Sequence, residues 1–171
     1  MKIPVFVSCP SSLSDKQNSS RRIILNEIAR LGLEPQSVGR SDYPTELPLR
    51  EVLLLVKHCS GGLVLGFEQF RANSGVWKRG SKDEKKTTGV TFATPWNQIE
   101  AALLFSLGLP VLVFREEAVS EGVFEVGVTD VFVHTMPTNL TSTAARTALH
   151  EVIMKWQAAV RTHFYSKVDA K

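Results

Sequence analysis

Residues 94–114 read Thr-Pro-Trp-Asn-Gln-Ile-Glu-Ala-Ala-Leu-Leu-Phe-Ser-Leu-Gly-Leu-Pro-Val-Leu-Val-Phe, and one run specifies a helix, a tight turn and a buried strand. Thr94 can accept a hydrogen bond from a free amide of the first turn, and Pro95 suits the first helical position. Gly108 supplies the left-handed residue that ends a helix ahead of Pro110. The wholly apolar strand that follows, Pro110 to Phe114, is of the kind covered on both faces. Within the helix, Ile99, Ala102, Leu103 and Leu107 are expected to form the packing stripe. Trp96, Asn97 and Glu100 stand three and four positions apart near the amino end and can share one small surface. Glu100 is the one charged residue of this run, so chemistry is sought there first. The alternative is a solvated carboxylate favoured near a helix start, with Trp96 a packing residue.

Outward from that run, Val5-Phe6-Val7 reads as a short strand followed by the turn-rich Ser8-Cys9-Pro10-Ser11-Ser12. Ile23, Ile24, Ile28 and Leu31 then recur with helical spacing until Gly32. A short extended piece around Pro35–Val38 precedes a helix from Leu47 to Lys57, and Gly62 to Phe67 reads as a fully buried strand. A last strand is expected at Asp130 to His134, before a long helix with Ala145, Leu149, Val152, Ile153, Trp156 and Val160 on one face. Strands alternating with helices predict an α/β fold: a flavodoxin-like three-layer sandwich with a five-stranded parallel sheet of order 2-1-3-4-5. In that order the chain reverses direction between the first and third strands, and a crevice opens beyond their carboxyl ends. The Ser8–Ser12 loop, the residues after Phe67 and the start of the Thr94 helix should meet there, which strengthens the case for Glu100.

The connection 68–93 is much longer than the roughly 2–6 residues usual in such a unit. It reads as a loop insertion with a flexible centre at Gly80–Glu84 and aromatic flanks Phe70, Trp77 and Phe92. A lid over the crevice, a disordered insertion and a surface for another subunit all suit it. The formal net charge of +3 comes entirely from this segment: Lys78, Arg79, Lys82, Lys85 and Lys86 against Asp83 and Glu84. A charge cluster inside a Gly/Ser/Thr-rich loop points to a solvated loop able to steer an anionic ligand, and argues against a nucleic-acid groove.

Composition sets the outer bounds. With 171 residues, 43% hydrophobic and 22% charged, the chain is expected to be one domain over 1–171. No apolar run approaches the ~20 residues that cross a bilayer and the amino terminus does not read as a signal peptide, so a cytoplasmic location is expected. Cys9 and Cys59 are expected as reduced thiols, with His58-Cys59 in a core or capping role. His134, His150 and His163 show no metal-ligand spacing, so no metal and no cofactor are expected.

A first strand ending in a small polar loop, a Leu-Val-Leu-Gly third strand at 63–66, and a helix reading Trp-Asn-x-x-Glu-x-x-x-x-x-x-x-Gly-x-Pro-Val from Trp96 to Val111 together resemble the nucleoside 2-deoxyribosyltransferase and bacterial Toll/interleukin-receptor-like superfamily. The resemblance covers roughly Ile3 to Pro137, its specific part being Trp96 to Val111. It implies a flavodoxin-like fold and, in members that are enzymes, cleavage of the N-glycosidic bond of nucleosides or NAD by a glutamate on this helix, with some relatives acting in antiphage defence. Glu100 would then be the catalytic carboxylate, Trp96 would stack on a base or cover the sugar, and Asn97 would hydrogen-bond a hydroxyl. Ser8, Cys9, Ser11 and Ser12 of the first loop, together with Phe67 at the third strand's tip, would line the substrate. Deoxyribosyltransferases carry an aspartate shortly before this glutamate, whereas Phe92-Ala93-Thr94 has no acid and Glu68 serves only if its loop folds back. NAD, whose nicotinamide leaves as a neutral group, therefore fits better than a simple deoxynucleoside. The expected partner is a nucleotide or nucleoside, with self-association of the chain as the further reading.

Overall fold

The computed structural model describes residues 2–37, 47–128 and 131–169. Strands β1 (Ile3–Ser8), β2 (Leu33–Gln36) and β3 (Gly62–Gly66) alternate with helices α1 (Asp15–Arg30) and α2 (Pro48–His58). A hairpin of β4 (Phe70–Trp77) and β5 (Lys85–Phe92) precedes α3 (Pro95–Ser106), and β6 (Val111–Arg115), β7 (Val133–Thr135) and α4 (Thr143–Asp169) complete the chain. The main sheet has order β2-β1-β3-β6-β7, every neighbouring pair parallel. Counted within that sheet alone this is the expected 2-1-3-4-5 order. The last strand is displaced to Val133–Thr135 from the expected start at Asp130, which lies outside the described residues, as does Val38 at the end of the second expected strand.

Two apolar layers hold the sandwich. On one face Ile24 and Ile28 of α1 and Leu149, Ile153, Trp156 and Val160 of α4 pack on Val5, Leu63, Leu65, Leu112 and Phe114. On the other, Val52 and Val56 of α2 and Ala101 and Leu104 of α3 cover Phe6, Val64 and Val113. Residues of the central strands β1, β3 and β6 alternate between these layers because successive side chains point to opposite faces, and both faces are covered there.

The packing face of α3 differs from the expected one. Its buried residues are Asn97, Ala101 and Leu104, whereas Ile99 is 41% exposed and Leu107 39%. A helix apolar on nearly every side has no preferred face of its own. Its rotation is set by Gly62, where any Cβ would run into the Leu104 side chain, and by a polar contact of Asn97 described below. The helix ends as expected, with Gly108 at φ +65° after the last turn.

The segment expected as a loop insertion is a two-stranded antiparallel ribbon, in register from Phe70↔Phe92 to Trp77↔Lys85 and separate from the main sheet. Two successive turns close it, through Ser81 N–H to Lys78 O (3.0 Å) and Glu84 N–H to Ser81 O (3.1 Å). Because the ribbon is exposed on both faces, it shows no period-2 alternation of apolar residues, and sequence pattern alone reads it as loop.

Candidate functional site

β1 ends at Ser8, whose side chain is fully buried where the carboxyl ends of β1 and β3 part. The α3 amino terminus is fixed against it by a reciprocal cap. Thr94 Oγ1 accepts from Asn97 N–H (3.2 Å), and Asn97 Oδ1 accepts from Thr94 N–H (3.3 Å) and from Thr94 Oγ1 (2.9 Å). The remaining donor of that amide, Asn97 Nδ2, reaches Ser8 Oγ at 2.8 Å. Both polar atoms of the Asn97 side chain are thus engaged inside the protein, and the residue is buried at 1% exposure. The expectation that Asn97 binds a substrate hydroxyl is corrected: it positions the helix on the strand end.

Glu100 lies one turn beyond Asn97 and is half-buried. Burial pushes its carboxyl above the usual carboxylate range, and a hydrogen bond with Ser8 pulls it partly back. Ser8 therefore links the Asn97 amide to the Glu100 carboxyl. Next along the chain, the Cys9 thiol is pushed up to about 11, chiefly by burial. The positive charge of Arg21 lowers it and the negative charge of Glu100 raises it further. The thiol is protonated at neutral pH and is no nucleophile; Sγ contacts Pro10 O at 3.5 Å. Cys59, fully buried and also pushed up to about 11 by burial, is equally inert.

Hydrogen bonds gather Ser8, Asn97 and Glu100 at the carboxyl end of β1, and the neighbouring Cys9 thiol feels the charges of both Arg21 and Glu100. Arg21 is the member that sequence reading missed. Its signal is its position three before Ile24 and seven before Ile28, which places a cation on the sheet-facing side of α1. Trp96, four residues before Glu100 on the same side of α3, is 43% exposed and offers its ring to solvent, and Ser11 is exposed. The Phe67 expectation is corrected: its side chain is fully enclosed in the α1/α4-side core. Glu68 does not serve as a second acid of this cluster. Its N–H donates to Glu116 Oε2 (2.6 Å) and its Oε2 pairs with Arg71 (2.8 Å).

Two open cavities flank this edge, and Glu100 lines neither. One of about 520 Å³ runs between the α1 amino end and the ends of β6 and β7, with Gln17, Glu68, Glu116 and Thr135 in its wall. The other, about 490 Å³ and largely apolar, lies between the ribbon base and α3, against Phe70, Phe92, Thr94, Pro95 and Gln98. Gln98 is about 200° around the helix from Glu100, so the base of the ribbon sits on the opposite flank of α3 and not over Glu100 as a lid there would. Among the described residues no cluster of His, Cys, Asp and Glu could hold a metal ion, and no helix is long and apolar enough to cross a membrane. Comparison with family models, curated proteins and solved structures gives no match for the chain.

Proposed function

We propose that the chain binds a nucleotide, NAD or a close relative, at the carboxyl end of β1 and hydrolyses its N-glycosidic bond with Glu100. The observation that carries this reading is a desolvated carboxyl, hydrogen-bonded to Ser8, at the switch point of a doubly wound sheet. Keeping a carboxylate at a buried position costs free energy, and that cost is recovered when a cation forms beside it. In the proposed step the bond from the anomeric carbon to the base breaks and the base keeps the electron pair, so nicotinamide leaves neutral. The ionised Glu100 stabilises the oxocarbenium ion, and water adds to the anomeric carbon and releases a proton. Arg21 would hold a phosphate oxygen, and Trp96 would stack on a ring. The resemblance at Trp96 to Val111 points the same way, and with it come the antiphage or signalling roles of the enzymes it suggests.

The test is incubation of the full chain with NAD and, separately, with purine and pyrimidine nucleosides, followed by chromatography for free base. Nicotinamide release from NAD, lost in Glu100→Gln, is the expected result; no free base from any substrate, or release that survives the substitution, overturns the proposal. A second reading, nucleotide binding without turnover, is favoured by two observations. Ser8 and Asn97 satisfy each other, and the stretch before the helix carries no acid to assist a leaving base. Calorimetric binding without product, retained in Glu100→Gln, selects that reading.

A further inference from the structure

We propose that the β4–β5 ribbon and the apolar cavity at its base form a binding site for single-stranded nucleic acid, independent of the Glu100 cluster. In its two eight-residue strands only Thr91 is buried, and an isolated hairpin exposed on both faces is marginal at best in water. What anchors it is all at the base. The Thr91 hydroxyl donates to Ala118 O, Gln69 N–H donates to Phe92 O (2.9 Å), and Thr91 bridges to Val119. The outer part carries Lys78, Arg79, Lys82, Lys85 and Lys86, all exposed and none with an ion-pair partner among the described residues. Two acids accompany them: Glu84 is engaged by the Gly80 N–H at 2.7 Å, and Asp83 is exposed beside Lys82. The excess of cations makes an anionic occupant the complementary one.

The aromatic side chains decide which anion. Trp77 pairs in register with Lys85, seven residues from Phe70, and a straight ribbon would separate those ends by about 23 Å. Its ring nevertheless lies 6.0 Å from that of Phe92, which in turn lies 6.4 Å from Phe70. The ribbon is therefore coiled back on itself, with Gly89 at φ +70° in mid-strand and the pairing interrupted between Ala72↔Val90 and Ser74↔Thr88. Coiling brings the end that carries Lys78, Lys85 and Lys86 toward a cluster of three rings, of which Phe70 is 62% exposed and Trp77 38%. Phe70 and Phe92 are also walls of the 490 Å³ cavity, whose floor includes Pro95, Val119 and a Gln98 fixed by Glu121 O (3.1 Å) and Val123 N–H (2.9 Å). Unpaired lysines beside exposed rings and an apolar hollow match phosphates alternating with flat bases, the pairing by which unstructured strands are held. A duplex keeps its bases stacked inside and leaves the rings without partners, and a sulfated polysaccharide has no bases to offer them.

The experiment is fluorescence anisotropy of the full chain with a labelled 20-nucleotide oligothymidylate at 50 mM salt, alongside the same length of duplex and labelled heparin. Binding is expected to be tightest to the single strand and to weaken steeply with salt. The double substitution Lys85→Ala, Lys86→Ala should shallow the logarithmic salt slope by about 1.4. Phe70→Ala, at an exposed position that leaves the fold intact, should weaken the single strand about tenfold and leave heparin unchanged. Absence of single-strand binding at 50 mM salt, an equal loss of heparin and oligonucleotide in Phe70→Ala, or a salt slope untouched by the lysine substitutions overturns the proposal. Base release from NAD is a separate readout, so either result leaves the Glu100 assignment standing or falling on its own test.

Discussion

The two flanks of α3 use polar chemistry in opposite ways. On the Ser8 side, both polar atoms of the Asn97 side chain are engaged internally and one carboxyl is held where ionisation is costly. On the ribbon side, an array of cations stands in solvent without partners, above rings that are only partly covered. The first region is rigid by construction and suited to stabilising a small charged species. The second has few buried contacts and is suited to an extended ligand that supplies the missing ones. Positional precision and adaptability are thus divided between two sides of one helix.

The largest expected effect belongs to the Ser8 side. Glu100→Gln should lower the proposed base release by roughly 10²–10⁴-fold, the range for losing a positioned proton-transfer or charge-stabilising group, as read by initial rates of nicotinamide formation.

Stability effects come next and should divide along the same line. Leu104→Ala empties the space above Gly62 and should cost about 2–5 kcal/mol in denaturant unfolding, whereas Phe70→Ala on the exposed ribbon should stay within about 0.5 kcal/mol. Equal costs at the two positions would contradict the contrast. Asn97→Ala removes the donor to the buried Ser8 hydroxyl and half of the cap, and should cost about 1–3 kcal/mol. Gly89→Ala forces a side chain into the left-handed region and should cost about 1–2 kcal/mol. If the coil of the ribbon depends on that glycine, Trp77 fluorescence will shift toward the emission of an exposed indole.

The smallest effect is one of pH, and its sign separates a functional carboxyl from a structural one. Burial raises the Glu100 carboxyl in the folded chain, so folding favours its protonated form. The ionised form reduces stability above the raised value, and the penalty vanishes below the unfolded value near ~4.3. Glu100→Gln should therefore melt higher than the wild type at pH 7–8 and at the same temperature near pH 4. Base release, which needs the ionised form, should decline with falling pH earlier than an ordinary carboxylate would allow.

The sheet order was legible because the central strands β1, β3 and β6 are apolar along nearly all their length and the helices are bounded by caps, prolines or glycines, as at Thr94, Pro95, Gly32 and Gly108. Which face α3 buries was not. Ile99, Ala102, Leu103 and Leu107 are as apolar as Ala101 and Leu104, and the deciding contacts come from Gly62 and Ser8, distant in sequence. Glu100 and Trp96 could be picked out as candidates from spacing alone, but the inward role of Asn97 and the burial of Phe67 depend on that rotation. Arg21 escaped notice because a lone cation ahead of an apolar stripe carries no motif. The ribbon escaped because its strand signal lies in β-branched Thr87, Thr88, Val90 and Thr91 without the alternation a half-buried strand shows.

Whether Glu100 is held at a cost to folding for the sake of a reaction is decided by parallel turnover and melting measurements on wild type and Glu100→Gln. Opposite signs are expected at pH 7.5: base release down at least ~10²-fold while the melting temperature rises. Turnover unchanged, or activity and melting temperature falling together, would contradict that expectation and make Glu100 a structural residue.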